Sequence, residues 1–401
     1  MPESSEEVAA AVPASRPAIL LYAQSNFGGL AEHTHYQAQE LADRGWPITV
    51  LCHPDFLRRP SQPRYRRRAV LHTVTGTSRL AKLLHVAAVV LDHYVLAWWI
   101  MRTRPAVVLF DCASEYFMPF WVWPHLLLRR TGVHYLANFH DPVRERHFGP
   151  HWLHRWSLRL MYRLIEGGLV HGPVPPEAAI PANIRLVEAP LGPFEDTLLI
   201  PPSVDIRTQF AIPESSCVVL AFGHIVDRKN LDHLIRAVAQ VPGTVLVIAG
   251  EHSSATQRPA AYYRQIAAEL GIAARVIFCE EFIPDDRIAE FFTAADIVAL
   301  TYRSAFVSQS GVLQQAVAFR KPVLVSCGPG PLRQTMEQFP LGMLIPPDDV
   351  AAIADGLREL RAAPPVPEAV FRAYESAASW PANIDRLIEL IGTVSNHAKI
   401  R

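Results

Sequence analysis

Short apolar runs recur along the chain, each followed by a polar loop and then by a segment whose apolar positions return every third or fourth residue. In the first half the runs are Ala18 to Tyr22, Pro47 to Leu51, Ala106 to Phe110, Val133 to Asn138 and Gly168 to His171. In the second half they are Cys217 to Phe222, Val245 to Ala249, Val276 to Phe278, Asp296 to Leu300 and Val323 to Ser326. Runs that are apolar throughout, rather than alternating, predict parallel strands covered on both faces. Between them the spacing predicts helices over about Ala31 to Arg44, stopped by Gly45, and over Leu80 to Met101, Phe117 to Arg130 and His151 to Glu166. Others are expected over Leu231 to Ala239, Ala260 to Leu270 and Asp285 to Ala295. One more opens at Gly311, where Val312, Leu313, Ala316 and Val317 share a face. Strand–helix alternation at this cadence builds doubly wound parallel sheets. It lapses over 172–215, where prolines crowd from Pro173 to Pro213 and mark a connection, and it restarts at Cys217. The expected fold is α/β, with two doubly wound Rossmann-like domains, 17–200 and 201–375, facing across a cleft. Residues 1–16 are expected to form a disordered tail.

Composition narrows the partners. The 401 residues carry 38 basic and 38 acidic side chains, a balance that argues against a nucleic-acid scaffold. Five widely spaced cysteines without a CxxC pair predict buried free thiols in a reducing compartment. The N-terminus is acidic where a signal peptide is basic. Leu80 to Met101 is apolar, but Lys82, His85, Asp92 and His93 interrupt it, which argues against a transmembrane helix. The expected location is the cytoplasm. Arg58, Arg59, Arg64, Arg66, Arg67 and Arg68, with Arg79 further on, lie among prolines near helices rich in Trp and Leu. They read as a solvated loop, or as a contact with an anionic membrane surface or a lipid-pyrophosphate acceptor at the inner face of the cytoplasmic membrane.

In an open parallel sheet the ligand crevice lies at the carboxyl ends of the strands. Gly28 and Gly29 follow the first strand and can admit a phosphate or sugar closely. His140 ends the fourth predicted strand on the same edge. Gly223 and His224 begin a loop that carries Arg228 and Lys229, adjacent cations suited to a diphosphate. The amides of Ser310, Gly311 and Val312 stand at a predicted helix start, where anions and sugar oxygens bind. No metal cluster is evident: Asp285-Asp286 and Asp348-Asp349 read as helix caps.

The order of these motifs resembles retaining glycosyltransferases of the GT-B fold, glycosyltransferase family 4 (glycosyl transferases group 1). GGLAEHTHYQAQELADRGWPITV looks like that family's glycine loop and first helix, NFHDP like its His-Asp loop, and FGHIVDRKN like its diphosphate loop. IAGE, FIPDDRIAEFFTAADIVALTY and SGVLQQAVAFRKPVL continue in register. PANIDRLIELI, after Ser379-Trp380, looks like a C-terminal helix (376–401) that crosses back to the N-terminal domain. The resemblance implies transfer of a sugar from a nucleotide-diphosphate donor to a hydroxyl acceptor with retained configuration, without a metal and with no cofactor beyond the donor. The acceptor, a glycan or lipid-linked polysaccharide precursor, would meet the N-terminal domain. On this basis Gly28 and Gly29 approach the donor, His140 sits at the reacting centre, and Lys229, with Arg228 beside it, neutralises the diphosphate. Ser310, Gly311 and Val312 offer amides to the donor. Two positions depart from the family: Gln315 stands where a glutamate binds the ribose, and Val307 replaces a second glutamate. His224 takes the place of an arginine. Two further readings are a non-catalytic GT-B relative acting as a binding or partner subunit, and a sugar-nucleotide epimerase.

Overall fold

Alternate residues of a strand point to opposite faces, and in β1 (Ile19–Tyr22) both faces are covered. Ile19 and Leu21 enter one buried cluster, Leu20 and Tyr22 another. The same division splits β8 (Cys217–Phe222): Val218 and Leu220 face one core, Cys217, Val219 and Ala221 the other. This two-sided burial is why these stretches are apolar without interruption. The computed structural model describes residues 16–57, 63–76, 78–143, 149–194, 200–252 and 257–398. The tail 1–15, Arg58, Arg59 and residues 195–199 of the proline-rich connection lie outside the described residues.

The first sheet adds β2 (Ile48–Cys52), β3 (Arg66–Ala69), β4 (Val107–Phe110), β5 (His134–Phe139), β6 (Gly167–Val170) and β7 (Arg185–Glu188), in the order β3-β2-β1-β4-β5-β6-β7. The second adds β9 (Thr244–Ala249), β10 (Val276–Cys279), β11 (Ile297–Thr301), β12 (Val323–Ser326) and β13 (Gly342–Leu344), in the order β10-β9-β8-β11-β12-β13. Among the described residues every pairing is parallel. The strand order reverses between β1 and β4 and again between β8 and β11, the points where doubly wound sheets open a crevice.

Around the first sheet, α1 (Gly28–Asp43) packs on one face, and α2 (Arg79–Thr103), α3 (Met118–Arg129) and α4 (His151–Leu164) pack on the other. The second sheet carries α5 (Ile206–Gln209), α6 (Leu231–Ala239), α7 (Ala260–Glu269), α8 (Ile288–Ala294), α9 (Gly311–Ala318), α10 (Pro331–Gln338), α11 (Val350–Ala362) and α12 (Glu368–Ala377). Helix α13 (Trp380–Ala398) returns to the first sheet: Ile384, Leu387, Leu390 and Ile391 join Leu21, Ala38 and Leu41 in one core. Polar contacts fix its start. Trp380 Nε1 donates to the Pro193 carbonyl at 2.7 Å, and Asn383 Nδ2 donates to that of Pro190 at 2.7 Å.

Several elements differ from the sequence expectations. Arginines 66–68 form edge strand β3 rather than a solvated loop: Arg67 lies over the Phe56 ring and donates to the Pro54 carbonyl, and Arg68 lies over Trp99. Strand β7 sits inside the proline-rich connection. Helix α1 begins at Gly28, three residues earlier than the apolar spacing predicts, so both glycines belong to its first turn. Asp285-Asp286 open a short 3₁₀ turn ahead of α8, while Asp349 caps α11 by accepting from the amides of Ala351 and Ala352. Helix α2 is long and apolar enough to cross a membrane, yet Asp92 and His93 are buried within the domain. The His72 amide and ring bond Asp92, and His93 Nδ1 meets the Val89 carbonyl at 2.7 Å.

Candidate active site

The loops after β1, β5 and β6 face those after β8, β9 and β11 across a cleft of about 520 Å³. Its lining includes Gly28, Gly29, His140, Gly223, His224, Arg228, Lys229, Ser310, Gly311, Val312 and Gln315. Residues far apart in sequence thus meet because both sheets present their carboxyl edges to one space. Phe27 and Phe282 touch across the mouth with ring centroids 5.5 Å apart.

On the second domain, Gly223 and Gly250 pass so closely that a Cβ on Gly250 would lie 2.4 Å from the Gly223 carbonyl oxygen. Gly223 adopts φ 84°, a left-handed conformation suited to glycine, and Lys229 Nζ stands beside it. That ammonium donates to the Phe222 carbonyl at 2.5 Å. Part of the Lys229 surface reaches the cleft, but dense protein around it and then the neighbouring Arg228 push its pKa down to about 7. Arg228 is exposed to the cleft, with its guanidinium over the Phe306 ring at 5.5 Å. His224 Nδ1 lies 3.6 Å from Glu251 Oε1; burial lowers its pKa.

The start of α9 is less open than expected. Gln309 folds back, and its Oε1 accepts the Ser310 amide at 2.9 Å, so that donor is already engaged. The Ser310 hydroxyl instead meets the Tyr302 hydroxyl at 2.9 Å. Gly311 and Val312 remain at the cleft wall, and Gln315 reaches it one turn further on. Val307 is not part of the lining; Phe306 and Gln309 are.

On the first domain, Gly28 has φ 71°, and a Cβ at Gly28 or Gly29 would meet nothing among the described residues within 4 Å. Space for a ligand adjoins the backbone there. The loop before α1 is tied down by Asp111, after β4, whose Oδ2 accepts the amides of Gln24 and Ser25 at 2.7 and 3.1 Å. Burial raises the Asp111 pKa to about 7 against those bonds. His140 Nε2 lies 3.0 Å from the Asp111 carbonyl oxygen, and its Nδ1 lies 2.8 Å from His171 Nε2. Burial pushes the His140 pKa down to about 3 and lowers that of His171. His33, on α1, packs edge-on against both rings and is fully buried. The ligand nitrogens of His33, His140 and His171 all lie within 4.8 Å of one another.

Glu32, His171, Glu251 and Tyr302 also line the cleft and were not singled out from the sequence. Glu251 follows β9 as Arg228 follows β8, so the carboxyl-edge rule could have found it. Glu32 and His33 lie within a helix whose spacing marks only packing.

The two facing Rossmann-like domains define a GT-B fold. Residues 203–375 match the family model described as Glycosyl transferases group 1. The chain is 33% identical over 192 residues to D-inositol 3-phosphate glycosyltransferase of Mycobacteroides abscessus, covering 46% of this chain and 41% of that protein. It is 31% identical over 181 residues to the protein of the same name from Nocardia farcinica, covering 40% and 39%. The aligned part thus spans about two fifths of these curated relatives. Sucrose-phosphate synthase from Thermosynechococcus elongatus superposes with a TM-score of 0.69 at 19% identity, over 94% of this chain and 99% of that one. Anabaena HepE, in a complex with UDP and glucose, does so with a TM-score of 0.69 at 18% identity, over 94% and 100%.

Proposed function

We propose that the chain transfers a sugar from a nucleoside-diphosphate donor to a hydroxyl acceptor, with retained configuration at the anomeric carbon. One observation carries the reading: Arg228 and Lys229 enter the same cleft as the Gly28–Gly29 turn and the start of α9. Breaking the anomeric C–O bond leaves its electron pair on the diphosphate. Two cations and the Gly311 and Val312 amides are fixed where that charge develops, so they favour the transition state without reorganising. The acceptor oxygen attacks the anomeric carbon on the face the diphosphate leaves, which retains the configuration, and its proton passes to the departing diphosphate oxygen as the new C–O bond forms. His140 stands on the opposite wall, where acceptor and donor sugar would meet. Lys229→Ala is expected to lower turnover by about 100-fold or more with an unchanged circular dichroism spectrum; near-normal turnover contradicts the assignment. A binding subunit is the second reading, supported by Gln315 in place of a carboxylate and by Val307 outside the cleft lining. It predicts donor binding without turnover.

The acceptor proposed is lipid-linked, presented at the inner face of the cytoplasmic membrane. Supporting this, α2, α3 and α4 pack side by side and leave Leu83, Leu91, Trp98, Trp123, Leu127 and Trp152 exposed. Arg102, Arg104, Arg129, Arg130 and Arg163 border this apolar face. Aromatic and apolar side chains rimmed by arginine suit an anionic lipid surface.

A further inference from the structure

We propose that His33, His140 and His171 form a three-histidine site for a divalent metal ion of the zinc class on the N-terminal wall of the cleft. His140 Nε2 faces the Asp111 carbonyl oxygen at 3.0 Å, and His171 Nδ1 faces the Ala189 carbonyl oxygen at 3.1 Å. A carbonyl oxygen only accepts, so each of these nitrogens carries a hydrogen. In the neutral rings the remaining nitrogens, His140 Nδ1 and His171 Nε2, are then both lone-pair acceptors. They point at each other across 2.8 Å. Two acceptors make no hydrogen bond, and a proton between them would create a buried imidazolium, which burial disfavours. A metal ion accepts both lone pairs without that conflict.

His33 supplies the independent observation. Its exposure is 0%, and among the described residues neither ring nitrogen has a hydrogen-bond partner. A buried polar group left in this state costs about 1–3 kcal/mol, and coordination removes the cost. Its ring centroid lies 4.6 Å from that of His140 and 5.4 Å from that of His171. Zinc–imidazole bonds of about 2.0–2.1 Å in a tetrahedron need nitrogens about 3.3 Å apart, a shift of less than an ångström for the closest pair. Backbone carbonyls behind His140 and His171 fix both rings and their tautomers, as supporting partners do for metal-bound histidines.

An all-imidazole set selects zinc, cobalt, nickel or copper over magnesium or calcium, which take oxygen ligands. Three protein ligands leave a fourth position. His140 and His171 line the cleft while His33 stands behind them, so that position opens toward the cleft and takes water or a substrate oxygen. It lies on the wall opposite Arg228 and Lys229, so the ion is not the counter-charge of the proposed diphosphate. Metal binding does not depend on the transferase reading and can fail or succeed without it.

The full chain, stripped with a chelator and dialysed against cobalt(II) or zinc(II), tests the site by elemental analysis and by the visible spectrum of the cobalt form. One ion per chain is expected, with the intense absorption of a four-coordinate cobalt centre. His33→Gln and His171→Gln should each weaken binding by at least about 100-fold. His85→Gln, on exposed α2, should leave it unchanged. Should the buried His33→Gln variant fail to fold, as seen in its near-UV circular dichroism, His171→Gln at the cleft surface carries the test. Substoichiometric uptake by the wild-type chain, or uptake that survives substitution of His171, overturns the proposal.

Discussion

Lys229 shows how one residue couples ligand affinity to pH. Burial and Arg228 lower its pKa from 10.5 to about 7. A diphosphate beside it favours the charged form, so binding above pH 7 draws a proton from solvent. Between about pH 7 and 10.5 the unfolded chain holds more protons than the folded one, so this group makes stability rise with pH. Over the same range donor affinity falls, because the charged lysine must first be regained. Calorimetric titration with a nucleoside diphosphate at pH 8, in two buffers of different ionisation enthalpy, should show net proton uptake that Lys229→Met abolishes. Equal uptake in the variant would place the proton elsewhere. Lys229 was legible in the sequence because its motif sits on one loop after one strand. His33 was marked only as part of the Gly-Gly–His pattern that resembles the family's glycine loop, and His171 was not marked; their meeting with His140 arises only when α1 packs across the ends of β5 and β6.

At the scale of elements, burial decides what a sequence discloses. Interior strands such as β1, β4, β8 and β12 are covered on both faces and appear as uninterrupted apolar runs. Strands β3, β7 and β13 escaped notice, and all three lie at sheet edges. RRRA and RLVE are polar and partly exposed, so neither periodicity nor apolarity marks β3 and β7, while β13, GML, is apolar but only three residues long. Helix α13 was identified only through resemblance, and its docking rests on a buried polar relay. Asn138 Nδ2 donates to Gln37 Oε1 at 2.9 Å, and Gln37 Nε2 donates to Asn383 Oδ1 at 2.9 Å. This chain joins β5, α1 and α13 behind the cleft. Asn383→Leu strands the Pro190 carbonyl and one Gln37 hydrogen, and is expected to cost about 1–3 kcal/mol in denaturant unfolding. A loss below about 0.5 kcal/mol would mean that the apolar face of α13 alone sets its position.

For the whole molecule, two surfaces differ in chemistry. The cleft gathers imidazoles from the N-terminal domain and cations from the second domain, while the α2–α3–α4 face of the N-terminal domain exposes tryptophan and leucine beside arginines. The proposed membrane contact rests on this face alone. Replacing Trp98 and Trp123 by Ser should lower partition onto anionic vesicles at least about tenfold while leaving nucleotide binding intact. Equal binding to neutral vesicles would contradict an anionic surface, and no change in the double variant would contradict docking through this face. The central claim remains the transfer of sugar from a nucleotide donor in the cleft. Mass spectrometry after incubation with a panel of sugar nucleotides tests it most directly. With no other acceptor present, one donor is expected to be hydrolysed slowly, its sugar passing to water and its nucleoside diphosphate released, and Lys229→Ala should largely prevent this. A panel returned intact, or equal consumption by the Lys229→Ala chain, would contradict it.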